Sequence, residues 1–92
     1  MPSYKAPVSD VSFLLNDVFH IEKYSNLPGF ADLGGEMIDA IAGEAAKLCE
    51  EQLQPLNLSG DQAGCVRHAD GSVTTPKGFK EAFTAYTEGG WL

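Results

Sequence analysis

The sequence predicts a mainly α fold, a small helical domain of about three helices with one short β-hairpin. Three observations carry that expectation. Apolar residues recur at helical spacing in three separate stretches. Proline and glycine punctuate the chain between those stretches. An Asp-Gly pair, Asp70-Gly71, stands between Val66-Arg67-His68 and Ser72-Val73-Thr74 as a tight-turn signal.

Residues 1–8 read as an extended lead-in, because Pro2 and Pro7 both disfavour helix. The first helix is expected over 9–19, where Val11, Leu14, Leu15, Val18 and Phe19 fall on one face. Ser9 is placed to cap it, and Asp10 suits its positive end. Ile21-Glu22-Lys23-Tyr24 allows a single helical turn before Pro28-Gly29 redirects the chain. Tyr24, Leu27 and Phe30 are then apolar anchors of a loop that packs down.

The longest helix is expected over 35–54. Met37, Ile38, Ile41, Ala42, Ala45, Leu48, Cys49 and Leu53 line one face, and Glu36, Asp39, Lys47, Glu50 and Glu51 mostly fall away from it. Gly43 costs roughly 1 kcal/mol relative to alanine in a helix interior, which close packing around Ala42-Gly43 would offset. Pro55 is read as the stop, and Leu56 to Gly64 as loop. Val66-Arg67-His68 and Ser72-Val73-Thr74 flank Ala69-Asp70-Gly71 as a hairpin. The third helix is expected over 76–88, with Thr75 as cap, Pro76 in the first turn and Phe79, Ala82, Phe83 and Tyr86 as an aromatic face. Gly89-Gly90 closes it, since glycine takes the left-handed conformation that ends helices. A Gly-Gly stop followed by Trp91 reads as a lead into a further element, so we expect the front end of a longer protein.

Composition narrows the function classes. Thirteen acidic against six basic residues give a net charge of −7. Such a surface repels phosphate backbones, which argues against nucleic-acid binding. No apolar run has membrane-spanning length, and no basic flank precedes an apolar core at the amino terminus. A cytoplasmic protein without membrane partners is expected.

Candidate chemistry is sparse. Cys49 and Cys65 are too few for a disulfide framework and are read as ordinary buried thiols. His20 and His68 are the only histidines; His68 with Asp70 supplies two metal ligands where a site needs three or four. Ser59, His68 and Asp61 offer the residue types of a nucleophile–base set without a nucleophile elbow. Glu50-Glu51 and Asp61 suggest paired carboxylates, but the glutamates lie on the face expected to be solvated. Gly60, Gly64 and Gly71 lack the spacing of a phosphate-cradling loop. No catalytic, cofactor-binding or metal-binding residue is assigned.

From Gln54 onward the sequence resembles the acyl-CoA dehydrogenases. Their amino-terminal helical domain carries a proline, an acidic residue and a glycine between two helices, as Pro55, Asp61 and Gly64 stand here. Pro76 and Gly89-Gly90-Trp91 continue the resemblance. Upstream, Tyr4-Lys5-Ala6-Pro7 through Phe13-Leu14-Leu15, and Tyr24 to Phe30, are similar to the leader of a long subgroup that includes methylthiopropionyl-CoA-type dehydrogenases. The resemblance covers nearly all of the chain. It implies residues 1–92 as a single amino-terminal helical domain or fragment of an FAD-dependent enzyme of fatty acid metabolism. Such an enzyme removes two hydrogens across the α and β carbons of an acyl-CoA thioester. Its catalytic glutamate and most flavin contacts lie beyond residue 92, so Glu81 and Glu88 take no such role and the fragment itself is expected to hold no FAD. The expected partners are the remaining domains of the parent enzyme, its acyl-CoA substrate, and copies of the fragment associating through the last helix and Trp91. The alternative is a freestanding small helical module that binds a partner through its aromatic face.

Overall fold

The computed structural model describes residues 3–92, so the reading of Pro2 lies outside the described residues. The chain is mainly helical with one two-stranded antiparallel hairpin, as its sequence predicts. It divides into two compact units, Lys5–Lys47 and a second formed by Leu48–Leu92 together with Ser3 and Tyr4.

In the Lys5–Lys47 unit, Pro7 (φ −79°, ψ 61°) centres an inverse γ-turn in which Val8 N–H donates to Ala6 C=O at 2.8 Å. Helix α1 (Val8–Ser12) begins there, one residue before the predicted cap, so Ser9 lies inside the helix and no side chain caps it. It continues as a π-helical segment, Phe13–Val18, and Phe19 N–H donates to Leu14 C=O at 2.8 Å. The i→i+5 bonding changes the phase of the side chains. Asn16 Nδ2 donates to Ser12 Oγ at 3.1 Å. α1 packs against α2 (Gly35–Lys47), and the half-buried positions are Val8, Ser12, Leu15 and Asn16. The expected stripe is thereby corrected: Leu15 alone of its members is covered, while Val11, Leu14, Val18 and Phe19 are exposed.

His20 takes the left-handed conformation (φ 48°, ψ 56°) and turns the chain into a 3-10 turn, Ile21–Tyr24. Leu27 C=O accepts from Phe30 N–H at 3.0 Å across Pro28-Gly29, and Gly29 has φ 84°. A left-handed third residue after proline is the type II turn. Tyr24, Leu27 and Phe30 do not pack down as anchors; all three are exposed. On α2, Ile38 and Ala46 are buried and Ala42, Gly43 and Ala45 half-buried, whereas Met37 and Ile41 of the predicted face are exposed. A Cβ on Gly43 would have no atom within 4 Å, so the expected close packing there is not found.

The Leu48–Leu92 unit opens with a π-helical segment, Leu48–Leu53, followed by α3 (Gln54–Ala63). Pro55 therefore does not stop a helix, and 56–64 is not a loop. Proline sits in the first turn of α3, where its missing N–H is least missed. Asp61 consequently lies on α3, with Gly64 (φ 64°) as its C-cap. Strands β1 (Val66–Arg67) and β2 (Val73–Thr74) pair in the register Val66↔Thr74 and Arg67↔Val73. Gly71 N–H donates to His68 C=O, and His68 N–H to Ser72 C=O, closing a three-residue loop with Gly71 left-handed at φ 89°.

Helix α4 (Phe79–Glu88) begins three residues later than expected, after Gly78 (φ 92°), without a side-chain cap. Thr75 is thus outside it, and Pro76 is buried with its C=O accepting from Phe79 N–H at 3.2 Å. The far end follows the Gly-Gly expectation. Gly90 (φ 82°) donates to Thr87 C=O and Trp91 to Tyr86 C=O, the paired bonds of a Schellman motif.

Candidate functional site

Two glycines set how α3 and α4 meet. A Cβ on Gly60 would stand 2.6 Å from Phe79 Cζ, and one on Gly78 would stand 2.7 Å from Leu56 Cδ2. Each bare glycine is therefore a seat for a side chain of the other helix region. Ala82 is buried, because a small residue at that position of α4 lets the helices approach. Beyond these seats the helices part and leave an apolar groove of about 370 Å³, lined by Leu53, Leu56, Asn57, Phe79, Ala82, Phe83 and Tyr86.

The groove is apolar in its chemistry. Its lining holds no carboxylate, imidazole or thiol. The polar groups are the Asn57 carboxamide and the Tyr86 hydroxyl, and the latter already donates to Trp91 C=O at 3.1 Å. Phe83 is 61% exposed, and its ring lies 6.3 Å from that of Tyr86, tilted by 37°. Trp91 folds back onto its own helix end. It is half-buried, and a Cβ on Gly89 would meet its Cδ1 at 2.9 Å. A second hollow of about 340 Å³ is lined by Tyr4, Cys49, Leu53, Gln54 and Asn57.

The residues singled out for chemistry are engaged locally. Ser59 Oγ donates to Leu56 C=O of its own helix at 3.5 Å, and His68 Nε2 lies 2.6 Å from Thr74 Oγ1 across the hairpin. Among the described residues no hydrogen bond joins Ser59, His68 and Asp61. The Asp70 carboxylate accepts from Ser72 Oγ at 2.7 Å and from Ser72 N–H at 2.9 Å, and these bonds hold its pKa below the ordinary value of 3.8. His20 Nδ1 lies 3.9 Å from Glu22 Oε1 on an exposed surface. Among the described residues no three His, Cys, Asp or Glu side chains are grouped to hold a metal ion.

Both cysteines are free. Cys49 is half-buried, but Cys65 is exposed, which corrects the expectation of two buried thiols. Glu51 is exposed, whereas Glu50 is half-buried and so not on a fully solvated face. No helix among the described residues is long and apolar enough to cross a membrane.

The chain is mainly helical, and its Leu48–Leu92 unit carries an apolar groove between α3 and α4. The chain is 28% identical over 89 residues to 3-methylmercaptopropionyl-CoA dehydrogenase of Ruegeria pomeroyi, an alignment covering 97% of this chain. It spans 15% of that relative's length. No protein-family model matches the chain. The similarity supports the acyl-CoA dehydrogenase resemblance of the sequence.

Proposed function

We propose that this chain is the amino-terminal helical segment of a longer FAD-dependent acyl-CoA dehydrogenase located in the cytoplasm. The parent would oxidise the α,β bond of an acyl-CoA thioester, and this segment would be structural. The observation that carries the reading is the 28% identity along 97% of the chain to a named acyl-CoA dehydrogenase. The groove supports the structural part, being apolar, open and without a carboxylate, imidazole or thiol.

The groove does not suit FAD, whose pyrophosphate needs converging donors, since it offers one free carboxamide amid leucines and phenylalanines. The net charge of −7 opposes an anionic cofactor as well. In this reading the flavin and the catalytic base belong to other segments, and the groove receives one of those segments.

Two measurements test it. Expression of the whole reading frame that encodes these residues should give a yellow protein that reduces an artificial electron acceptor with acyl-CoA substrates. A natural stop after Leu92, or stoichiometric flavin on the 92-residue chain alone, would overturn the proposal. With its groove uncovered, the isolated chain is expected to self-associate through α4. Phe83→Ser should shift its sedimentation toward monomer, while a wild type monomeric at high concentration contradicts the association. Trp91 is the poorer probe, since its ring is seated on its own helix end.

A further inference from the structure

We draw no further inference here: the strongest candidate, the apolar groove between α3 and α4 lined by Leu53, Leu56, Phe79, Phe83 and Tyr86, belongs to the site already described, and nothing in the structure shows any other occupant.

Discussion

Three glycines, two in one unit and one in the other, are used in opposite ways. In the Leu48–Leu92 unit, Gly60 and Gly78 are seats, each in contact range of a large side chain from the facing segment. In the Lys5–Lys47 unit, Gly43 lies in the interior of α2 with open space where its Cβ would be. A seat fixes one geometry, because the incoming ring or isobutyl group has a single place to go. An open glycine fixes nothing and weakens its helix. A glycine within or beside a helix is thus an interlock or a liability, and its contacts decide which.

The largest effect is expected at Gly78. Alanine there meets two penalties, the left-handed backbone at φ 92° and the Leu56 methyl at 2.7 Å. Left-handed strain of about 1–2 kcal/mol and the displacement of Leu56 together should destabilise the chain by about 2–3 kcal/mol. Urea denaturation measures it. A loss below about 0.5 kcal/mol, within the spread of unremarkable surface substitutions, would show that Gly78 is no interlock.

Gly60→Ala should be milder. Overpacking against Phe79 costs about 1–3 kcal/mol, and the gain in helix propensity returns about 1 kcal/mol. Phe79 is 39% exposed, so its ring can swing outward at the expense of the groove. A double-mutant cycle isolates the contact, since the penalty should vanish in a Phe79→Ala background. An undiminished penalty there would place its origin elsewhere.

Gly43→Ala should reverse the sign. With no atom within 4 Å of the new methyl, the chain should gain about 0.5–1 kcal/mol from helix propensity. Destabilisation at this position would mean that another surface covers Gly43 in solution, and the contrast between the units would fail.

These positions also mark what the sequence makes legible. The hairpin, the Pro28-Gly29 turn and the Gly89-Gly90 stop are read correctly because each is decided by residues within one turn of itself. Pro55 is misread because the same residue that ends one helix is favoured in the first turn of another. That misreading hides Leu56 and Asn57, so one wall of the groove goes unseen while the Phe79–Phe83–Tyr86 wall is legible from helical spacing. The exposed stripe of α1 escapes for another reason. The π-helical bonding of Phe13–Val18 alters the phase that the 3.6-residue period assumes. Trp91 was legible as an aromatic but not as a folded-back one, since its seat depends on Gly89 lacking a side chain and on Tyr86 reaching its carbonyl.

The smallest effect belongs to a part of the second unit that uses no glycine seat. Asp70 closes the hairpin loop through Ser72 Oγ and Ser72 N–H, and both bonds favour the ionised carboxylate. Its pKa is therefore lowered in the folded chain relative to the unfolded one. The unfolded state then binds more protons at low pH, so the contribution is fully present above the unfolded value. It is lost as pH falls through the lowered folded value. Because the loop is exposed, acid should loosen the hairpin locally while α3 and α4 remain packed. In an NMR titration, the Asp70 carboxyl should titrate below 3.8 and the Ser72 amide should shift with it. Asp70→Asn keeps an acceptor without the charge, so the Ser72 amide should no longer follow that titration, whereas Asp70→Ala should lose the turn bonds at every pH. An Asp70 that titrates at or above its ordinary value would show that Ser72 does not hold it in solution. The hairpin would then rest on its backbone pairs, on Gly71 and on the His68–Thr74 side-chain contact.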